Sequence, residues 1–261
     1  MQLTSRFRIK NINNIIEFLN DVHVGRLATI DLNGYPQIIP MNFVHTVTDL
    51  SSKNFSIDYK KPTDREDDND ESENTDYDSK IVNNISTNKP TLYEHAIYMH
   101  SHHKGEKIEN LLRNQKVGFE VDKEICFLPS YYFHPTDASF ADTLYTSIVI
   151  KGKASIVSDN QEKAFAMNKM MQKYQWEGKY TELNQSAKSI IHLTVIKINV
   201  DTINGKYKIG QEWSDSFRKD IANKIIQKEG ITKAREILKN IKIIMQKNGE
   251  LELPNSVNLE I

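Results

Sequence analysis

Residues 100–107, His-Ser-His-His-Lys-Gly-Glu-Lys, gather three histidines, a serine and two lysines. The preceding Glu94-His95-Ala96-Ile97-Tyr98-Met99 reads as a strand ending in His100-Ser101, and the following Ile108, Leu111 and Leu112 share one helical face. A helix therefore begins near Gly105 with Lys107 in its first turn. Helix N-termini present unsatisfied N–H groups and positive dipole, and their first turn favours acids. A lysine there makes sense if a dianion lies between it and the amides, with the Ser101 hydroxyl as a further donor. The segment fits a phosphate cradle without a glycine-rich loop. It equally fits a plain strand–helix connection with surface Lys and His.

Other chemistries find less support. His100 and His102 would share a strand face and His103 follows, yet only Cys126 and His134 lie near enough in sequence to complete a four-ligand zinc site. Haem ligation by one of these histidines rests on equally little. No Ser/His/Asp or Cys/His nucleophile arrangement can be read. Cys126 sits among aromatic residues, where free cysteines are mostly core. Glu120 and Asp122 share a strand face and read as a solvated strand end. Gly205 and Gly210 have P-loop spacing, but Gln211 stands where the lysine is required.

The elements that must position these residues follow from periodicity. Ile12, Ile15, Ile16 and Leu19 predict an amphipathic helix ending near Val22. Strands are expected over 24–30 and 37–45, joined through Asn33-Gly34 as a two-residue hairpin. Further strands are expected over 94–101, 116–122, 144–157 (with a bulge or bend at Gly152) and 192–200. The aromatic, proline-containing segment 125–142 reads as an ordered loop. A helix over 158–174 has Ser158 and Gln161 as a capping box. At the C-terminus, Phe217, Ile221 and Ile225 define one helix stopped by Gly230. Ile237, Leu238, Ile241, Ile244 and Met245 define another. Antiparallel strands with few helices point to a mainly β, α+β architecture, a small closed or half-closed barrel with peripheral helices. The absence of regular strand–helix alternation argues against a doubly wound nucleotide fold.

Composition sets the limits. The chain has 261 residues, 38% hydrophobic and 26% charged, with a formal net charge of -1. Residues 64–78 hold nine acids and one arginine, a net of -8, which leaves about +7 on the remainder. The stretch 48–92 has little to bury and is expected to be a disordered acidic insertion. A barrel domain over 1–200 and a C-terminal helical extension over 201–261 follow. The single Cys126 allows no intrachain disulfide, and no apolar run reaches the roughly 18 residues of a spanning helix. The expectation is a cytoplasmic protein, with nuclear access open, that contacts neither membrane nor nucleic acid.

These segments, taken in order, resemble the flavin-nucleotide-binding split barrels related to pyridoxamine 5'-phosphate oxidase, most closely the nitroimidazole-reductase-like branch. The resemblance rests on Val24-Gly25-Arg26-Leu27-Ala28-Thr29 with Asn33-Gly34-Tyr35-Pro36, and on Ile39-Pro40-Met41-Asn42-Phe43-Val44. It continues through Ile97-Tyr98-Met99-His100-Ser101 with Gly105-Glu106-Lys107-Ile108-Glu109-Asn110-Leu111, Val117-Gly118-Phe119-Glu120-Val121-Asp122, and the strand 145–154. It implies an antiparallel split β-barrel binding FMN at a homodimer interface, and an FMN-dependent oxidoreductase acting on a small molecule. The alternative is a flavin- or haem-binding module without turnover. Carried over by position, Met41, Asn42 and Phe43 would line the flavin ring and ribityl chain. His100 and Ser101 would approach the phosphate with Lys107 neutralising it, and Tyr145 and Ser147 would face the cofactor. Gly205-Lys206-Tyr207-Lys208 resembles a motif that would bring Lys206 or Lys208 near it. The authentic oxidase's basic phosphate-binding strand and C-terminal arginine motif are not evident. Because 60–85 carries charge without apolar period, its deletion is expected to leave cofactor binding and melting temperature nearly unchanged; a large fall in melting temperature would show the segment to be structural.

Overall fold

The computed structural model describes residues 5–49 and 93–253. From residue 50 on, the expected acidic insertion lies outside the described residues. Among the described residues, no helix is long and apolar enough to cross a membrane. Two compact units are present. The larger comprises Ile12–Val121 and Val149–Asn204, the smaller Met1–Asn11, Asp122–Ile148 and Gly205–Ile261. The C-terminal segment thus shares a unit with 122–148.

The larger unit opens with α1 (Ile12–Asp21), which buries Ile12, Ile15 and Leu19. Each such side chain is worth about 1.5–3 kcal/mol when fully buried. Strand β1 (Val24–Ile30) pairs antiparallel with β2 (Pro36–Asn42), Gly25 opposite Met41. The expected two-residue turn is instead a five-residue loop. Oδ1 of Asp31 accepts the N–H groups of Asn33 (2.8 Å) and Tyr35 (2.7 Å), and only Gly34 takes positive φ, at 86°. Asp31 wins because its side chain replaces the ladder hydrogen bonds a tighter turn would supply. The second expected strand also divides: β3 (Val44–Asp49) is separate from β2, with Phe43 between them.

Next come β4 (Tyr93–Ser101), α2 (Glu106–Arg113), β5 (Lys116–Leu128), β6 (Asp142–Ile156), α3 (Asn160–Tyr174), α4 (Lys188–Ile191) and β7 (Thr194–Lys208). The sheet order is β2-β1-β5-β6-β7-β4-β3. Strand β5 continues through part of the segment expected as loop, followed by short 3-10 turns at Ser130–Tyr132 and Ala138–Phe140. Gly152 sits within unbroken β6, where a Cβ would lie 2.3 Å from the Asn199 carbonyl oxygen, so close backbone approach requires it. The cap of α3 is Asp159, which accepts from the amides of Gln161 and Glu162, in place of the expected Ser158. The inner face of α3 covers the sheet through Ala166 and Met170, which pack with Val44, Ala96, Tyr98 and Val195.

In the smaller unit, α5 (Asp215–Glu229) and α6 (Ile231–Asn240) pack through Ile221, Ile225, Ala234 and Leu238. Ile244 and Met245, expected on the second helix, form β8 against β9 (Leu251–Glu252). Lys242 takes φ of 58° and ends the helical run before them.

His45 on β3 and His95 on β4 are both buried, their rings stacked at 5.2 Å with Nε2 of His45 3.0 Å from Nδ1 of His95. Burial first, then His95 and Lys173, hold His45 well below the usual histidine range; burial lowers His95 to about 4. The unfolded chain therefore takes up protons that the fold refuses between about pH 6.5 and 4. Stability is expected to fall across that window, by up to about 1.4 kcal/mol per pH unit for each proton taken up only on unfolding. Urea unfolding at successive pH values checks this. The double variant His45→Leu/His95→Leu should show a shallower fall, and an equally steep one would contradict the assignment.

Candidate functional site

Although β2 ends the sheet on one side and β4 lies near its other end, the two strands touch. At that seam lies a cleft of about 550 Å³, walled by Gln37, Ile39, Pro40, Met41 and Asn42 of β2, by His100 and Ser101 at the end of β4, and by His102, Lys104, Gly105, Glu106 and Lys107 leading into α2. All of it belongs to the larger unit.

The loop into α2 is shaped by its own side chains. Ser101 Oγ donates to the His102 carbonyl at 3.0 Å, and His102 Nδ1 accepts the Lys104 N–H at 3.2 Å. Gly105 takes φ of 125°, which a side chain would rarely permit, and α2 carries no side-chain cap. The amides of Glu106 and Lys107 thus have no acceptor within the helix. Lys107 is half-buried, and its Nζ lies 3.3 Å from Met41 Sδ. Burial pushes the Lys107 ammonium down from its ordinary range. A thioether is a weak acceptor, so the charge is held at the cleft with little to neutralise it. Glu106 stands beside it as the one carboxylate of the lining.

Five of the nine expected site residues meet here: Met41, Asn42, His100, Ser101 and Lys107. Phe43 is fully buried behind the cleft, edge-on to Phe119 at 5.0 Å. Tyr145, Ser147 and Lys208 belong to the smaller unit. There Lys206 Nζ donates to Tyr145 Oη at 2.6 Å, and Lys208 forms an ion pair with Asp142. The Gly205–Lys208 segment is the end of β7, not a turn, and its glycine lies against Ile9. Among the described residues, no group of three or more His, Cys, Asp or Glu is arranged to hold a metal ion.

Sequence reasoning missed Gln37 and the anchor of α2, Asn110. Gln37 was legible as the partner of Ile39 and Met41 in period two. Asn110 interrupts the apolar face formed by Ile108 and Leu111, and a polar residue there signals a buried hydrogen-bond network. Its Nδ2 donates to Thr29 Oγ1 (3.1 Å) and Gln37 Oε1 (3.2 Å), and its Oδ1 accepts from Arg113 Nη2 (2.7 Å). Arg113 also donates to the Ile30 carbonyl at 3.1 Å. Helix α2 is thereby fastened to β1 and β2.

Residues 89–207 match the family described as pyridoxamine 5'-phosphate oxidase. No curated protein matches the chain. Among solved structures, the FAD and haem binding protein from Mycobacterium smegmatis is similar over 83% of this chain and 79% of its own, with 11% identity and a TM-score of 0.50. The flavocytochrome Anf3 from Azotobacter vinelandii covers 79% and 72% at 13% identity and a TM-score of 0.49. A proposed 5-nitroimidazole antibiotic resistance protein from Bacteroides thetaiotaomicron covers 76% and 85% at 20% identity and a TM-score of 0.48. The fold is the antiparallel split barrel, mainly β with peripheral helices and a C-terminal helical extension.

Replacing Asn110 by leucine strands Gln37, Thr29 and Arg113 at once. A cost of about 1–3 kcal/mol is expected, read as a lowered urea midpoint with unchanged slope. A midpoint equal to that of the parent protein would show that α2 is held by other means.

Proposed function

We propose that the protein binds FMN in this cleft and serves as a flavin-dependent oxidoreductase acting on a small molecule. The observation that carries the reading is Lys107: a half-buried ammonium at the open N-terminus of α2, with only the Met41 sulfur as polar partner among the contacts of the described residues. The donor set fits a phosphate dianion, since a cation without a paired carboxylate lies in the first turn of a helix that has no side-chain cap. The cleft volume lies within the range of small-molecule sites. Met41 and Asn42 would supply an apolar wall and an amide for the flavin, and Lys104 would strengthen the positive field. The family match over 89–207 supports the same assignment. Tyr145, Ser147 and Lys208 are proposed cofactor contacts on the strength of the resemblance, and Phe43 a support of the ring wall from behind.

Bound FMN would supply the hydride or single-electron chemistry, and its balance would be set by charge and donors near its ring. The protein's own residues would bind, orient and desolvate; no side chain need act as acid or base. A second copy of the chain is the proposed partner and the cytoplasm the proposed location. A carrier or sensor without turnover would use the same cradle, and oxidation of a reduced nicotinamide by the FMN-loaded protein separates the two.

The test is flavin fluorescence titration of the parent protein and of Lys107→Glu. The parent protein should quench FMN with saturation. The variant should fold with unchanged circular dichroism yet bind at least 100-fold more weakly. Equal affinity in the two would remove the cation from the site and the reading with it.

A further inference from the structure

We propose that Lys173, in its charged form, is a positioning residue for the cleft, holding from behind the corner of chain that carries Met41 and Asn42. The inference rests on the FMN reading for its functional half and on geometry alone for its structural half. Lys173 lies in the last turn of α3 and is 6% exposed. Its Nζ donates to the Leu19 carbonyl at 2.9 Å and to the Phe43 carbonyl at 3.1 Å, and sits 3.7 Å from the centroid of the Phe43 ring. Leu19 lies in the final turn of α1, whose carbonyls carry the negative end of the helix dipole. One ammonium thus joins the end of α1 to the break between β2 and β3.

The neighbouring residue completes the grip. Tyr174 Oη accepts the Phe43 N–H at 2.9 Å and faces the carbonyls of Phe43 (3.1 Å) and His23, to one of which its proton goes. Both backbone groups of Phe43 are therefore taken by α3 side chains. This explains why one expected strand becomes two, and it fixes the peptide planes on either side of Phe43. Asn42 immediately precedes that fixed residue and Met41 follows one residue back, so the rim facing Lys107 inherits its direction. A neutral amine could still donate to both carbonyls but would lose the charge assistance, the dipole term and the cation–π contact.

The groups facing Lys173 are Asp21 at the end of α1, which favours its charge, and His45 on β3, which is held neutral by burial; His23 lies tilted against the Tyr174 ring. Burial lowers the Lys173 ammonium to about 7, so the charged grip is present below neutrality and lost above it.

The experiment compares FMN affinity of the parent protein and Lys173→Met at pH 6 and pH 8.5. Taking the ratio at each pH cancels the ionisation of the phosphate, of Lys107 and of the cleft histidines. The parent protein should bind at least tenfold more tightly at pH 6, with the ratio falling to threefold or less at pH 8.5. A ratio near one at pH 6, or a ratio that does not change with pH, overturns the proposal. Hydrogen exchange of the ligand-free proteins at pH 6 separates this from failure of the FMN reading. Even if the parent protein takes up no FMN, amides 41–44 should exchange at least tenfold faster in Lys173→Met while those of α3 are unaffected; equal protection overturns the proposal. Should Lys173→Met not fold, Lys173→Gln, which keeps a donor without the charge, replaces it in the exchange measurement with the same two outcomes.

Discussion

A single buried amide ties together the elements that wall this cleft. Helix α2 is only eight residues long, too short to be stable alone, and its N-terminus must point at the cleft while its body rests on β1. Apolar contacts of Ile108 and Leu111 supply attraction without direction. The hydrogen bonds of Asn110 to Thr29 and Gln37 supply direction, because each is lost by a small rotation of the helix. Once α2 is fixed, Lys107 has no choice but the Met41 side of the seam, and its charge stays where an anion can reach it.

The floor beneath that seam is built from opposite considerations. Gly25 has no side chain because the Phe119 ring occupies its place: a Cβ would come within 2.1 Å of the ring. Phe119 in turn meets the Phe43 edge, and Lys173 covers the other side of Phe43. A rigid aromatic pair thus lies under Met41, which is paired with Gly25 across the ladder. The rim is polar and half-exposed, whereas the floor is dry and close-packed. Binding sites that must orient a planar ligand need such a floor, since an adaptable one would spend affinity on ordering itself.

Much of this was legible beforehand. The spans of α1, β1, β4 and α2 were written in apolar spacing, and the cluster from His100 to Lys107 announced the cleft through a cation where a helix start prefers acids. What escaped detection was set by tertiary contact. The split at Phe43 depends on side chains 130 residues away, which no local period records. The strands β5 and β7 outrun their apolar patterns because partners in the sheet extend them. The Asp31 loop defeated the Asn-Gly signal because a carboxylate can outcompete a turn propensity when it accepts two amides. Ile244 and Met245 satisfied a helical count yet paired as a strand once Lys242 broke the helix. Family resemblance supplied residues such as Tyr145, Ser147 and Lys208 that the local pattern alone would not have singled out.

The outer strand β2 begins with Pro36 and carries Pro40 four positions on, so the two share one orientation along the strand. Neither has an N–H to offer, so of the four positions with that orientation only Ile38 and Asn42 can donate. A foreign strand arriving at this border would find half of its donors missing, which weakens continuation of the sheet. The molecule thereby keeps open, with less risk of endless stacking, the very margin from which it builds its cleft.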